Sequence, residues 1–269
     1  MMDITFIGGG NMATAIIGGL CRLPDTHIRV VEPGADKRAM LAERFGVTPL
    51  EEPPAAWSAD CIVVLAVKPQ QLKAVCATLA PRLQGALVVS IAAGVDVATL
   101  SRWLGGSDRI VRVMPNTPAM VGKGMSGLYA APAVSKSDRQ AAEVILQAVG
   151  QTRWVATEAG IDDVIAISGS GPAYVFHFVE ALEATGRQLG FDEATARELA
   201  LATFEGAIEL LRQSGESAGD LKRKVMSKGG TTERAIASFE ADGVAEAIVR
   251  GALACRARAV EMSEEFSRS

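Results

Sequence analysis

The strongest constraint on the fold is the alternation of short β-rich runs with helical patterns through about the first 156 residues. The run CIVVLAV at residues 61–67 is apolar throughout, which is typical of a strand covered on both faces. Such alternation predicts a parallel sheet with helices on both sides. We expect strands over residues 3–7, 28–31, 61–67, 86–91, 109–114 and 152–155, and helices over 11–22, 35–45, 70–83 and 137–150.

Strand signals vanish after about residue 157. Leu201, Phe204, Ile208 and Leu211 are spaced three or four residues apart, as on one stripe of a helix. We expect about five helices in this part of the chain. The predicted fold class is α/β, with a Rossmann-type dinucleotide-binding domain over residues 1–157 followed by an all-helical domain over residues 158–269.

Composition and charge exclude several classes of function. Lys and Arg number 27 against 31 Asp and Glu, and no basic run is present, so nucleic acid is not expected as a partner. Four scattered cysteines and two histidines predict no metal site and indicate a reducing cytoplasm. The N-terminus lacks the pattern of a signal peptide, and no apolar stretch reaches membrane-spanning length. We therefore expect a cytoplasmic protein.

The first glycine-rich loop predicts a dinucleotide site. Gly8, Gly10 and Ala13 form G-x-G-x-x-A directly after the first predicted strand and at the start of a helix. The first glycine permits a tight turn, and the second lets the backbone approach a pyrophosphate. The small third residue allows the helix to pack on the strand. Free amides at the helix start then favour the negative charge of the cofactor.

The choice of nicotinamide cofactor stays open at the end of the second strand. Glu32 could bind a ribose 2′-hydroxyl, which favours NAD(H). Lys37 and Arg38 could instead pair with a 2′-phosphate, which favours NADP(H). A third alternative is that both cations simply lie in the solvated first turn of a helix.

Two further loops stand where predicted strands end, and ligands of α/β sheets bind at such ends. One is A-V-K-P at residues 66–69 and the other is M-P-N-T-P at residues 114–118. Prolines on both sides stiffen the second loop, which presents Asn116. Asn116 is therefore a candidate cofactor contact, although spacing alone equally allows it to cap the turn.

The helical half contains a second glycine-rich loop, S-K-G-G-T-T at residues 227–232, followed by a helical pattern. Its amides and two hydroxyls would form another anion cradle at a helix start. The alternative is a simple turn capped by a threonine. Upstream, S-G-S-G-P at residues 168–172 interrupts a helical pattern, with serines that can cap the helix that follows.

Six motifs in this order resemble the pyrroline-5-carboxylate reductase family: G-G-G-N-M-A, A-V-K-P, A-A-G-V, M-P-N-T-P, S-G-S-G-P-A-Y and S-K-G-G-T-T. The resemblance spans nearly the whole chain. It implies an oxidoreductase that reduces 1-pyrroline-5-carboxylate, a cyclic imino acid, to L-proline with NADPH or NADH. It also implies that the helical domain dimerises and that dimers gather into decamers.

The resemblance also implies roles for individual residues. It places the cofactor against Ile7, Gly8, Gly9, Gly10, Asn11, Met12, Ala66, Lys68, Pro69, Ala92 and Asn116. It places the substrate carboxylate against Gly229, Gly230, Thr231 and Thr232, and Ser170 is a further candidate substrate contact. Thr232 would in addition reach the ring nitrogen of the substrate, which makes it the one catalytic candidate.

Two positions depart from the family pattern. Lys228 stands where the family often has proline, and it could add charge for a carboxylate or point to solvent. Lys224 stands where the family often has asparagine, so we assign it no cofactor contact. His177 lies in an apolar helical run, and we expect it to be a packed core residue rather than a catalyst.

Two other functions fit part of the pattern. A related imine reductase or 3-hydroxyacid dehydrogenase also joins a Rossmann domain to helices, but a hydroxyacid enzyme needs a lysine or similar group at the carbonyl oxygen. The helix after Ser170 offers none within residues 173–182. A nicotinamide-sensing protein without turnover would have no need of the second anion site at residues 227–232.

Overall fold

The computed structural model describes residues 2–268. Within them the chain divides into two units. The first unit comprises the chain up to Ser170 together with the segment from Cys255 onward, and the second is Gly171–Ala254. The C-terminal helix therefore belongs in part to each unit.

The first unit contains a mixed sheet that has eight strands within the described residues. Its order is β3-β2-β1-β4-β5-β6-β7-β8. β1 therefore lies inside the sheet, and the chain passes from the edge strand β3 back across β2 and β1 to β4. The strands are β1 (Met2–Ile7), β2 (Thr26–Val31), β3 (Thr48–Leu50), β4 (Cys61–Leu65), β5 (Leu87–Ser90), β6 (Ile110–Met114), β7 (Gly124–Ala130) and β8 (Gly150–Trp154). All five residues of β4 are buried, which confirms the expectation of a strand covered on both faces.

The expectation of an all-parallel sheet is wrong at one position. β7 pairs antiparallel with β6, with Val111 opposite Ala130 and Met114 opposite Gly127. The connection between these strands holds only a short 3₁₀ helix (Thr117–Val121). A parallel return needs a crossover of a dozen residues or more, so this short connection turns the chain back on itself.

Helices alternate with the strands of the first unit. They are α1 (Asn11–Leu20), α2 (Ala35–Phe45), α3 (Pro69–Leu79), α4 (Val97–Trp103), α5 (Lys136–Gln147) and α6 (Ala159–Val164). A π-helix (Ile165–Gly169) directly continues α6. The predicted helix 70–83 was too long, because Pro81 cannot continue an α-helix and lies in a separate 3₁₀ helix (Ala80–Arg82).

The second unit is entirely helical over its described residues. It contains α7 (Gly171–Gln188), α8 (Glu193–Ser214), α9 (Ala218–Val225), α10 (Thr231–Ala241) and the first part of α11 (Val244–Ser267). Pro172 lies in the first turn of α7, as expected. α7 and α8 pack closely against each other at Gly186. A Cβ added to this glycine would lie only 2.8 Å from the Cβ of Ala196.

Many apolar side chains of the second unit are exposed in the single chain. Leu201 and Ile208 of the predicted α8 stripe are 44% and 52% exposed. Large exposed apolar patches mark surfaces that another molecule covers. None of the described helices combines the length and apolar character needed to cross a membrane.

Candidate functional site

The first glycine loop connects β1 to α1 in a conformation that requires glycine. Gly8 has φ +97°, and a Cβ there would lie 2.9 Å from Cγ1 of Val67 and 3.0 Å from the carbonyl oxygen of Ala66. The amide of Ala66 in turn donates to the carbonyl of Ile7 at 2.9 Å. The tips of β1 and β4 therefore meet at this loop, as the two sequence motifs predicted.

The start of α1 is open to a ligand. Gly10 is the N-cap, with no side-chain cap and no acidic residue in the first turn of the helix. A Cβ on Gly10 would meet nothing closer than the carbonyl oxygen of Ala66 at 3.9 Å. The first-turn amides of Asn11 and Met12 precede the first hydrogen bond of the helix, so they can donate to an anion. This geometry fits a diphosphate.

Glu32 is tied to the same loop. Its two carboxylate oxygens accept hydrogen bonds from the amides of Gly9, at 3.0 Å, and Gly34, at 3.1 Å. Lys37 places its Nζ 3.7 Å from the same carboxylate. The Glu32 side chain is only 13% exposed, and its two hydrogen bonds hold the glycine loop against the end of β2.

Lys37 and Arg38 differ in their surroundings. Arg38 donates to the carbonyls of Glu32 and Pro33, both at 2.7 Å, and pairs with Glu51 at 3.2 Å. The alternative of a solvated first turn is therefore wrong for Arg38. Lys37 is 41% exposed and keeps donor capacity for a further anion.

The A-V-K-P and A-A-G-V loops follow β4 and β5. Lys68 is the N-cap of α3 and Pro69 is its first residue. Ala92 is buried, and two residues later Gly94 turns with φ +74°. A Cβ on Gly94 would lie 3.0 Å from that of Met262, so the last turns of α11 lie directly over this loop.

Asn116 joins distant parts of the first unit. Its Nδ2 donates to the carbonyl of Ser168 at 3.0 Å, and its Oδ1 accepts from the amide of Met125 at 2.9 Å. The 3₁₀ helix after Asn116 has no side-chain cap, so the turn-capping alternative is wrong. Instead, the buried amide holds the S-G-S-G-P segment beside the loop after β6.

Ser170 ends the π-helix, and its hydroxyl lies 3.2 Å from the Sγ of Cys255. Gly169 packs against Met114, since a Cβ there would lie 2.8 Å from the methionine Cε. π-helical segments of this kind are frequent at functional sites. The sequence did not predict the contact with Cys255, because 85 residues separate the two side chains.

A buried ion cluster, also missed from sequence, supports the strand ends. Arg112 of β6 has a side chain only 2% exposed and pairs with Glu158 at 3.3 Å and Asp162 at 3.0 Å. Glu158 also accepts from the amide of Val97 at 2.7 Å, at the start of α4. The cluster thus fixes α4, which follows the A-A-G-V loop. An arginine within an apolar strand is the one signal that could have indicated it.

The second glycine loop leads into α10. The amide of Gly230 donates to the carbonyl of Ser227 at 2.9 Å, which closes a tight turn. Gly229 has φ +73°, and its amide donates to the carboxylate of Glu233. Gly230 is the N-cap of α10 and has no side-chain cap, so the threonine-capped alternative is wrong. Thr231 and Thr232 form the first two residues of the helix, with Thr232 half-buried.

The structure also gives the surroundings of His177 and Lys224, two residues that the sequence singled out. His177 is not a core residue within the chain, because its side chain is 82% exposed on α7, beside Glu180. The expectation failed because the apolar neighbours of His177 on α7, Phe176 and Phe178, are themselves exposed. Lys224 pairs with Glu216. Across residues 2–268, the side chains of His, Cys, Asp and Glu form no group of three that could hold a metal.

Comparison with known families and curated relatives matches both halves of the chain. A family described as pyrroline-5-carboxylate reductase dimerisation matches residues 158–262. One described as NADP oxidoreductase, coenzyme F420-dependent, matches residues 3–94. A pyrroline-5-carboxylate reductase of Pseudomonas aeruginosa is 46% identical over 98% of this chain and 97% of its own length. The pyrroline-5-carboxylate reductase of Escherichia coli is 37% identical over 99% of this chain and 98% of its own length.

Solved structures agree. A pyrroline-5-carboxylate reductase of Coxiella burnetii superposes with a TM-score of 0.88 at 41% identity, covering 97% of this chain and 98% of its own. The pyrroline carboxylate reductase of Plasmodium falciparum, solved with NADP bound, superposes with a TM-score of 0.85 at 26% identity. It likewise covers 97% of this chain and 98% of its own. The predicted fold, a Rossmann-type domain followed by a helical dimerisation domain, is confirmed. The chain belongs to the pyrroline-5-carboxylate reductase family.

Proposed function

We propose that this chain reduces the C=N bond of 1-pyrroline-5-carboxylate to give L-proline, with NADPH or NADH as the hydride donor. This reaction is the final step of proline biosynthesis. The observation that carries the proposal is 46% identity with a named reductase over nearly the full length of both chains. The open start of α1 beside a glycine-only turn supports the cofactor half of the proposal.

The cofactor is held by the first unit in this proposal. The amides of Asn11 and Met12 receive the diphosphate, since the N-cap residue Gly10 has no side-chain cap and no side chain close to it. The loops after β4, β5 and β6 line the nicotinamide half. The proposed cofactor-binding residues are Ile7, Gly8, Gly9, Gly10, Asn11, Met12, Glu32, Ala66, Lys68, Pro69, Ala92 and Asn116. When bound, the nicotinamide supplies the hydride.

The substrate carboxylate is received by the second glycine loop in this proposal. Amides at the start of α10 favour an anion through their free donors and the helix dipole. The proposed substrate-binding residues are Ser170, Gly229, Gly230, Thr231 and Thr232.

Thr232 is the proposed catalytic residue. A hydroxyl can both donate and accept a hydrogen bond. Thr232 can therefore bind the ring nitrogen of the substrate both before and after that nitrogen carries a proton. An imine nitrogen is far more basic than a ketone oxygen, so water suffices to protonate it. The two histidines need take no part: His27 pairs with Asp3, which lies in β1, and His177 lies exposed on α7. The chain then contributes chiefly alignment of two bound molecules.

The chain also acts as a homodimer in this proposal, with dimers assembling into decamers. The family description of residues 158–262 names dimerisation. Apolar side chains that a partner would cover are exposed on α8 and α11, namely Leu199, Leu201, Ile208, Leu210, Ile248, Val249 and Leu253.

The test is turnover by the purified protein, followed as loss of the absorbance of reduced nicotinamide. We expect oxidation of NADPH or NADH when 1-pyrroline-5-carboxylate is added and none with a 3-keto acid. Turnover of the 3-keto acid, or of a 3-hydroxy acid with the oxidised cofactor, would favour the related hydroxyacid enzyme. Cofactor binding without turnover of any of these compounds would favour a sensor.

A further inference from the structure

The second glycine loop already carries a carboxylate of the chain itself. The amide of Gly229 donates to the Oε2 of Glu233, which lies in the first turn of α10. Gly229 is in the left-handed region, with φ +73°, and its position is exposed. This amide is therefore accessible to an anion from outside as well as to Glu233.

The path of the Glu233 side chain departs from an ordinary helix cap. A glutamate at the third helical position usually reaches back to the amide of the N-cap residue. Here that residue is Gly230, and the carbonyl of Ser227 already accepts from its amide at 2.9 Å. Ser227 also packs closely on Gly230, because a Cβ there would lie 2.3 Å from the serine Oγ. The side chain of Glu233 therefore extends past the N-cap residue, and its carboxylate accepts a hydrogen bond from the amide of Gly229 instead.

A substrate carboxylate bound to the same loop would meet this group. Both are carboxylates, both require an amide donor, and two like charges on adjacent donors repel each other. Binding of the substrate carboxylate therefore favours departure of Glu233. Glu233 is exposed and has rotamer freedom, so its side chain can leave without moving the backbone.

We propose that Glu233 is a tethered competitor for the substrate carboxylate. It occupies the Gly229 amide in the free enzyme, leaves when the imino acid binds, and returns as product departs. Glu233 thereby sets the affinity for anionic substrates and speeds their release. This inference rests on the proposed function, because it takes the loop at 227–232 as the substrate site.

The test is the substitution Glu233→Gln, which removes the negative charge and keeps the shape of the side chain. Glutamine can still accept from Gly229, but a neutral acceptor is weaker than a carboxylate and does not repel one. We expect the KM for 1-pyrroline-5-carboxylate to fall about threefold or more, while the KM for NADPH is unchanged. The dissociation constant of L-proline should fall in the same proportion.

Two controls separate this role from a general effect of charge or structure. Glu240→Gln removes the same charge two turns further along α10, where Glu240 pairs with Lys222 at 3.6 Å and does not touch the loop. It should leave every constant unchanged. The second control is 1-pyrroline, an imine without a carboxylate, whose kinetics Glu233→Gln should not alter.

Three outcomes would overturn the inference: an unchanged or higher KM in Glu233→Gln, an equal fall in Glu240→Gln, or an equal fall with 1-pyrroline. Failure of the proposed function gives a different result, because the wild-type protein would then not reduce 1-pyrroline-5-carboxylate at all. The melting temperature of each variant confirms that it is folded.

Discussion

The backbone amide of Gly9 donates a hydrogen bond of 3.0 Å to the carboxylate of Glu32, 23 residues further along the chain. This bond joins the glycine loop after β1 to the end of β2. The residue that the sequence indicates as a ribose ligand is thus also bonded to the loop that is proposed to hold the cofactor phosphates. The proposed ribose contact of Glu32 and the conformation of the glycine loop therefore depend on the same side chain.

Lys37 is expected to favour NADPH. Arg38 is committed to two carbonyls and to Glu51, whereas Lys37 is 41% exposed and has donors left for a 2′-phosphate. We expect Lys37→Ala to raise the KM for NADPH about threefold to tenfold and to leave that for NADH unchanged. Steady-state kinetics with both cofactors measure this, with Lys136→Ala on α5 as the control. An equal change for both cofactors would remove the assignment.

Thr232 is expected to matter for substrate and not for cofactor. Thr232→Ala removes the hydroxyl proposed to hold the ring nitrogen, so the KM for 1-pyrroline-5-carboxylate should rise and kcat should fall. One hydrogen bond corresponds to about a tenfold loss in kcat/KM. Cofactor affinity, measured by fluorescence titration, should stay the same. Thr78→Ala on α3, whose hydroxyl donates to the carbonyl of Val75 at 2.8 Å, is the matched control. Unchanged constants in Thr232→Ala would exclude the role.

Two adjacent glycines of α1 should respond differently to the same substitution. A Cβ on Gly19 would lie 2.4 Å from the carbonyl oxygen of Ala148, which is backbone and cannot move away cheaply. We expect Gly19→Ala to cost about 1–3 kcal/mol of stability. A Cβ on Gly18 meets the Phe45 ring at 3.1 Å, and this half-buried side chain can shift.

Gly18→Ala should therefore be nearly neutral, because the gain in helix propensity of about 1 kcal/mol offsets the contact. Urea unfolding at one fixed protein concentration compares the two variants, since dissociation of subunits contributes to the measured stability. A similar cost at both positions would contradict the packing described for α1.

Acid should destabilise the fold partly through Asp138. Burial raises the pKa of this carboxyl, but hydrogen bonds from Arg109 and Ser135 outweigh it and hold the pKa below the ordinary value of 3.8. The ionised form is thus favoured in the folded state. Its contribution is fully present above pH 3.8 and is lost as the pH falls through the lower folded pKa.

The free energy of unfolding should therefore decline less steeply below pH 3.8 in Asp138→Asn than in the wild type. Urea titrations at a series of pH values measure the two slopes. Asp242→Asn, on an exposed residue that ends α10, is the control. Identical slopes for Asp138→Asn and the wild type would show that the Arg109 pair does not persist in solution.

Elements with a clear hydrophobic period were predictable from sequence. The apolar run that became β4 and the helix over residues 35–45 were found where expected. β7 was missed because its sequence, GMSGLYA, has two glycines and no regular alternation. The short helix α4 was also missed, although Asp96 accepts from the amide of Thr99 and is a recognisable N-cap.

Long-range partners of the candidate site could not be predicted from the sequence. The motifs gave the residue numbers of both glycine loops, because tight turns need glycine and anions need free amides. They gave no sign that Asn116 binds the carbonyl of Ser168, 52 residues away, or that Glu158 reaches the amide of Val97. Such bonds depend on how the strands are ordered in the sheet, which a local pattern does not contain.

The most direct test of the central claim is a crystal structure of this protein with NADP⁺ and L-proline bound. We expect the diphosphate on the amides of Asn11 and Met12 and the proline carboxylate on the amides of Gly229, Thr231 and Thr232, with the proline nitrogen at the Thr232 hydroxyl. Proline bound elsewhere, with residues 227–232 turned away from the nicotinamide ring, would contradict the account.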